Sequence, residues 1–121
     1  MNKSNYRDLV VWQKSRQLAV AVYRATGEFP RAEIVCMTQQ LRRAALSVVS
    51  NIAEAHGRRS ARDVLQFLGI ARGSLLEIEA QLIIAGDLEY LSSAAVEQLL
   101  DKSVDVTRLL NGLMRHYEQK T

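Results

Sequence analysis

The sequence is poor in residues that break helices or cross-link a fold. Its 121 residues include one proline (Pro30), six glycines and one cysteine (Cys36). A single cysteine excludes an internal disulfide and favours a reducing compartment. No apolar run approaches the roughly 20 residues of a membrane-spanning helix, and residues 1–8 have no apolar signal-peptide core behind them. We therefore expect a soluble, cytoplasmic protein that does not enter a membrane.

Residues that build catalytic or metal sites are also scarce. The two histidines, His56 and His116, lie near the ends of separate predicted helices. Glu77 and Glu79 are two positions apart, so they point to different faces of a helix. The sequence has no Glu-x-x-His pair of the kind found in di-iron bundles, and no signature flanks Cys36 that would support a Cys–His dyad. We expect a non-enzymatic protein without cofactor or metal.

The sequence does contain strong helical periodicity. One seam alternates in steps of four and three residues and consists of Val64, Leu68, Ala71, Leu75, Ile78, Leu82 and Ala85. This spacing, together with similar apolar spacings in the other segments of the chain, predicts helices at about 8–26, 33–57, 60–86 and 93–118. Short connections require neighbouring helices to run in opposite directions. The prediction is one all-α domain over residues 1–121, an antiparallel up-down-up-down four-helix bundle.

Two features indicate that copies of the chain associate. Leu46, Val49 and Ala53 form a second apolar stripe on the second helix, more than one bundle interior can use. Gly69 and Gly73 lie inside the third helix, where each costs about 1 kcal/mol relative to alanine. Glycines tolerated there favour the close approach of another backbone. We therefore expect a homo-oligomer.

Polar residues interrupt the apolar seams of the second and third helices. They are Gln40, Arg43, Ser47, Asn51, Glu54, Arg72, Ser74 and Glu77. If the chain reverses near residues 58–59, Arg43 lies level with Glu77 and Ser47 lies level with Arg72. We predict an Arg43–Glu77 ion pair within an inter-helix or inter-subunit polar network, which fixes register more than it adds stability.

Positive charge is concentrated in the first part of the chain. Residues 1–72 hold twelve Lys/Arg and five Asp/Glu, a balance of +7, whereas residues 73–121 hold four and eight, a balance of −4. Such asymmetry is typical of an anion-binding face, and it equally fits halves of neighbouring chains that attract one another. The predicted phosphate contacts are Lys14, Arg16, Arg42, Arg43, Arg58, Arg59 and Arg62. Few aromatic residues accompany them, so we do not expect base stacking.

Several strings taken together resemble a known family. They are residues 8–14 (DLVVWQK), Phe29-Pro30 with Glu33, residues 38–44 (TQQLRRA), Ser47, residues 51–54 (NIAE), Gly57-Arg58 and residues 67–75 (FLGIARGSL) with Glu77. The chain resembles the four-helix-bundle proteins encoded in intervening sequences of bacterial large-subunit ribosomal RNA genes. It departs from that pattern at Cys36 and Ala55, where glycine is usual, and at Val49, where proline is frequent.

The resemblance implies a four-helix protomer and a homopentameric barrel. It also implies a distant relationship to the accessory proteins of diversity-generating retroelements, which act beside a reverse transcriptase and bind nucleic acid through a basic surface. The biochemical function of the intervening-sequence family itself is largely unassigned. Two hypotheses follow: an oligomeric accessory protein that binds RNA or DNA without sequence specificity, or a scaffold oligomer that docks a partner protein and has no nucleic-acid role.

Overall fold

The chain is all-helical in the part that the structure, a computed structural model, describes, which is residues 5–121. The four α-helices are α1 (Val10–Thr26), α2 (Met37–His56), α3 (Ala61–Asp87) and α4 (Ser93–Glu118). The short 3-10 helices Tyr6–Asp8 and Arg31–Glu33 precede α1 and α2. The prediction of an all-α protein with four helices is confirmed. Residues 1–4 of the predicted domain lie outside the described residues.

Two helices begin a few residues later than their approximate predicted starts, and in both cases a short 3-10 helix occupies the intervening segment. The helix predicted from residue 8 begins at Val10 because Asp8 ends a 3-10 helix, where its carboxylate accepts a hydrogen bond from the Asn5 amide. The helix predicted from residue 33 begins at Met37. Glu33 belongs to the preceding 3-10 helix instead, and its carboxylate accepts from the Met37 amide at 3.2 Å. The start of α3 and both ends of α4 lie within one residue of prediction.

Serine caps define the starts of the last two helices. The Ser60 hydroxyl accepts a hydrogen bond from the Asp63 amide at 3.1 Å, and the Ser92 hydroxyl accepts from the Ala95 amide at 3.1 Å. Each satisfies one of the amides that a helix start leaves without a backbone partner. Between α3 and α4 the chain reverses through Glu89, whose φ of 63° lies in the left-handed region. The result is a connection of only five residues.

The core lies where all four helices meet. Helix α2 packs against α1 and α3, and α4 packs against α3 and α1, whereas the Cα atoms of the diagonal pairs α1/α3 and α2/α4 are more than 8 Å apart in the described part of the chain. Every member of the α3 seam predicted from the four-three spacing is buried. Burial of a large apolar side chain contributes about 1.5 to 3 kcal/mol, so this seam is a main source of stability. None of the helices within residues 5–121 has an apolar stretch long enough to cross a bilayer.

The outward side of α3 is apolar and open. Ile70, Leu76, Ile83 and Ile84 are exposed along it. A Cβ atom built at Gly69 or Gly73 meets no other atom within 4 Å, so no backbone of the same chain approaches these glycines. On α2, Leu46 is exposed, whereas Val49 and Ala53 are half-buried. A single chain therefore leaves part of its apolar surface in water.

Candidate nucleic-acid interface

A small polar cluster joins α2 to α3. The Ser74 hydroxyl donates a hydrogen bond to the Ser47 hydroxyl at 2.9 Å. The Asn51 side-chain amide donates to the same hydroxyl at 3.1 Å and to the Ser47 carbonyl at 2.8 Å. Ser74 is buried, and a buried polar group is costly unless it is bonded. The cluster therefore fixes the register of the two helices, and it contains three of the eight residues of the predicted polar network.

The predicted position of Arg72 beside Ser47 is wrong. The Arg72 guanidinium donates to the Asn111 side chain on α4 at 3.4 Å, and Ser74 occupies the predicted place. Residues 72 and 74 are separated by a rotation of about 200° around the helix, so they face opposite neighbours. The position of a residue along the helix axis therefore does not by itself decide which neighbouring helix its side chain contacts.

The predicted Arg43–Glu77 ion pair does not form within one chain. Ion pairs in residues 5–121 join Glu54 to Arg58 on α2 and Asp105 to Arg108 on α4. Arg43 and Glu77 are both exposed, as is Gln40, the remaining member of the predicted network. An inter-subunit role for these three residues stays a prediction.

Arg42 ties α2 to the end of α1. Its Nε donates to the Thr26 hydroxyl at 2.9 Å, its Nη2 donates to the Tyr23 carbonyl at 3.2 Å, and the guanidinium lies 4.7 Å from the centre of the Tyr23 ring. Thr26 is itself buried and donates to the Val22 carbonyl at 2.8 Å. Three of these interactions hold the guanidinium in place, so Arg42 has a structural use that the sequence did not reveal.

The α2–α3 connection, by which we mean residues 57–62 and therefore the first residues of α3 as well, holds three predicted phosphate contacts in two different states. Arg58 forms its ion pair with Glu54 and lies 4.4 Å from the centre of the Phe67 ring. Arg59 and Arg62 are exposed and make no side-chain hydrogen bond or ion pair within the described part of the chain. Arg59 and Arg62 are therefore the residues of this connection that are available to a ligand.

An open groove with a volume of about 860 Å³ lies elsewhere, between α1 and α4. It is lined by Arg7, Trp12, Gln13, Arg16, Gln17, Val20, Ala21, Arg24, Ala25, Ala95, Gln98, Leu99 and Lys102. We call this surface the α1 groove. Four of its residues are cationic and none is acidic. Of these four cations, Arg16 is a phosphate contact predicted from the sequence, whereas Arg7, Arg24 and Lys102 were not predicted. Lys14, exposed on α1, does not line the groove.

Side chains that could hold a metal do not cluster in the described part of the chain. No three His, Cys, Asp or Glu side chains lie together as metal ligands within residues 5–121. The pKa of the Tyr90 hydroxyl is raised above 10.0 chiefly because it donates a hydrogen bond to the Glu33 carboxylate, at 2.9 Å. Tyr90 also packs against the Phe29 ring, 5.4 Å between centres. This bond ties the segment before α2 to the end of α3, and we assign it a structural role.

Comparison with known proteins identifies the family. The model of the 23S rRNA-intervening sequence protein family matches residues 7–112. The chain belongs to this family. A similar solved structure is that of a protein with unknown function from the S23 ribosomal protein family of Bacteroides thetaiotaomicron VPI-5482. The two chains are 26% identical with a TM-score of 0.81, and the match covers 88% of this chain and 96% of that one. No curated protein matches significantly.

The match to the 23S rRNA-intervening sequence protein family includes the whole α1 groove and the α2–α3 connection. It confirms the resemblance stated above. Two of the three departures from the family pattern are accommodated inside α2, which is continuous from Met37 to His56: Ala55 is buried and Val49 is half-buried. Cys36 directly precedes this helix and is exposed.

Proposed function

We propose that the protein is a non-enzymatic accessory protein that assembles into a homo-oligomer and binds the phosphate backbone of RNA or DNA through a basic surface, largely without sequence specificity. One observation carries the proposal: of the seven predicted phosphate contacts, only Arg58 forms an ion pair within residues 5–121. Positive side chains without carboxylate partners attract an anionic ligand, and arginine matches phosphate geometry in particular.

The proposed topology is an antiparallel up-down-up-down bundle. Two pairs of contacts between α3 and α4 support it: Gly86 lies beside Val96, and Arg72 bonds to Asn111. Residue numbers thus fall along α3 as they rise along α4. Ser47 with Ser74 and Arg58 with Phe67 give the same opposite order for α2 and α3.

The proposed assembly uses the outward side of α3. Leu76 is 62% exposed there, with Ile83 and Ile84 beyond it and open space at Gly69 and Gly73. A second copy that covers these side chains removes their apolar surface from water, and glycine allows its backbone to come close. The family resemblance implies five copies in a barrel. Pooling the basic surfaces of several copies raises the local positive potential and with it the affinity for a polyanion.

The exposed thiol of Cys36 supports a reducing compartment, so we propose a cytoplasmic location.

Salt dependence tests the proposal directly. A fluorescein-labelled single-stranded RNA of mixed sequence is titrated with the protein, and anisotropy is followed at about 50 mM and about 200 mM salt. We expect affinity to fall steeply with salt and to change little when DNA or another sequence replaces the RNA. Equal binding at both salt concentrations, or none at the lower one, contradicts the proposal.

A double variant locates the contacts. R59Q/R62Q removes two charges that have no ion-pair partner among residues 5–121, so the slope of log affinity against log salt becomes shallower by about 1.4. The matched control is R108Q/R115Q, which makes the same change of charge on α4. We expect R108Q/R115Q to make the slope shallower by less than about 0.7, because Arg108 is already paired with Asp105.

A scaffold protein is the second candidate function. The observation that favours it is a shallow cavity of about 420 Å³ beside the start of α2, where Ile34, Val35 and Leu46 are exposed next to Tyr23. Exposed apolar side chains at a cavity are typical of protein-docking surfaces. An oligomer that forms in solution but binds neither RNA nor DNA at low salt favours this function over the first.

A further inference from the structure

We infer that the α1 groove is a binding site for single-stranded nucleic acid, in which Arg24 and Lys102 contact the phosphate backbone. The inference rests on the proposed function, because it assigns the nucleic acid to a particular surface. It also adds contacts that charge clustering in the sequence did not indicate.

The charge of the groove is uncompensated. Arg7, Arg16, Arg24 and Lys102 line it, and its thirteen lining residues include no aspartate or glutamate. Neither ion pair of the described residues involves any of these four cations. Helix α1 itself contains no acidic residue over its whole length. A concave surface lined by one sign of charge focuses the electrostatic potential and concentrates counter-ions, here phosphates.

Short side chains explain why a groove exists at this position. Ala21 and Ala25 on α1 face Ala95 on α4, so the two helices meet without large side chains to fill the space between their outer edges. Val20 and Leu99 complete the apolar part of the surface. The result is a groove lined by cations and by small or apolar side chains, which suits one strand better than the wider cylinder of a duplex.

The four cations of the α1 groove differ in how firmly they are held. The Arg16 guanidinium lies 5.8 Å from the centre of the Trp12 ring, and Arg7 donates from Nε to the Asn5 side chain at 3.2 Å. Arg24 and Lys102 are exposed and make no side-chain bond within residues 5–121. Arg7 and Arg16 therefore shape the groove, and Arg24 and Lys102 supply the cations that an incoming backbone neutralises.

The dimensions fit more than one phosphate. Arg16 and Arg24 are eight residues apart on one helix, which places their Cα atoms about 12 Å apart. Neighbouring phosphates of one strand are closer together than this, so a strand that runs along α1 meets the two cations with different phosphates. Gln13, Gln17 and Gln98 offer neutral hydrogen-bond donors and acceptors between the charges. Contacts of this kind position a strand without reading its sequence.

Trp12 makes the inference testable at the site itself. It lines the groove, and it is the one tryptophan of the chain, so tryptophan emission reports on this surface alone. The full chain is titrated with single-stranded RNA while tryptophan emission is followed, and the anisotropy of labelled RNA is measured in parallel. We expect emission to change with the same midpoint as the anisotropy. The test variant is R24Q/K102Q, which spares the hydrogen bond of Arg7 and the ring contact of Arg16.

R24Q/K102Q should lose the change in emission, bind about tenfold more weakly at low salt, and show a salt slope shallower by about 1.4. The matched control R108Q/R115Q removes the same charge from a part of α4 that does not line the groove and should keep the change in emission. Circular dichroism and thermal melting check that each variant folds. A mononucleotide at the same total phosphate concentration should produce little change, because it engages one cation at a time.

The outcomes separate this inference from the proposed function. If anisotropy rises but emission stays constant, or if R24Q/K102Q binds like the unaltered protein, the α1 groove is not the site and the proposed function stands. If neither signal responds at low salt, both are wrong. If a mononucleotide saturates the emission change as RNA does, the groove is a small-ligand site and the assignment to nucleic acid is overturned.

Discussion

Two leucine-to-alanine changes on α3 distinguish the core from the proposed interface. Leu68 is 0% exposed and Leu76 is 62% exposed, on the same helix and two turns apart. Leu68→Ala should destabilise the chain by about 3 to 5 kcal/mol at any protein concentration, because it leaves a cavity in the core. Leu76→Ala should cost a single chain about 1 kcal/mol, since the three carbons that it removes are less than half buried and each buried CH2 contributes about 0.8 kcal/mol.

Assembly increases the free-energy cost of Leu76→Ala and leaves the cost of Leu68→Ala unchanged. If a second copy covers Leu76, its remaining surface is buried too, and Leu76→Ala costs the assembly roughly a further 1 to 2 kcal/mol per interface. Association stabilises the folded state by mass action, so this further cost appears only where the assembly is populated.

Chemical denaturation at two protein concentrations provides the assay. The midpoint of the unaltered protein should rise with concentration, and Leu76→Ala should weaken this rise. Leu68→Ala should lower the midpoint equally at both concentrations. If the unaltered protein has one midpoint at all concentrations, and Leu76→Ala shifts it by the same small amount throughout, the outward side of α3 is not an interface.

Three further changes test the local structure. Ser60→Ala removes the cap of α3 and should cost about 1 kcal/mol, measured by denaturation. Arg42→Ala should lower the free energy of unfolding by about 1 to 3 kcal/mol, because it breaks the bonds to the end of α1, whereas exposed Arg43→Ala should change it by less than about 0.5 kcal/mol. In an ultraviolet titration one tyrosine should deprotonate above pH 10.0, the ordinary pKa, and Glu33→Gln should lower the pKa of Tyr90. The stability from this raised pKa is present below pH 10.0 and is lost as pH rises through the higher folded value.

The sequence predicts features that depend on near neighbours in the chain. The α3 seam and the Ser60 cap are examples, because helical spacing and capping act over three or four residues. Helix α2 begins a few residues later than its approximate predicted start because the 3-10 turn that contains Glu33 carries no periodic signal of its own. The register of α2 against α3 was only partly predictable. Arg72 and Ser74 lie at similar heights along α3 but point in different directions around its axis, so they contact different helices.

Candidate binding residues were harder to predict because charge alone does not reveal a tertiary partner. Arg42 and Arg58 looked like surface cations, but one bonds to the end of α1 and the other packs on Phe67. For Arg24 and Lys102 the error was the opposite one, because neither was predicted to contact a ligand although both line the groove. They lie far apart in the sequence, and only the packing of α1 against α4 brings them to one groove. The absence of acidic residues from α1 was the signal that could have pointed to it.

Light scattering with and without single-stranded RNA, at about 50 mM and about 200 mM salt, measures assembly and nucleic-acid binding together. We expect the protein alone to have a mass near five times the 13.6 kDa of one chain at both salt concentrations. RNA should add to this mass at the lower salt concentration and dissociate at the higher one. A mass of 13.6 kDa that RNA leaves unchanged under both conditions would show that the protein neither assembles nor binds RNA.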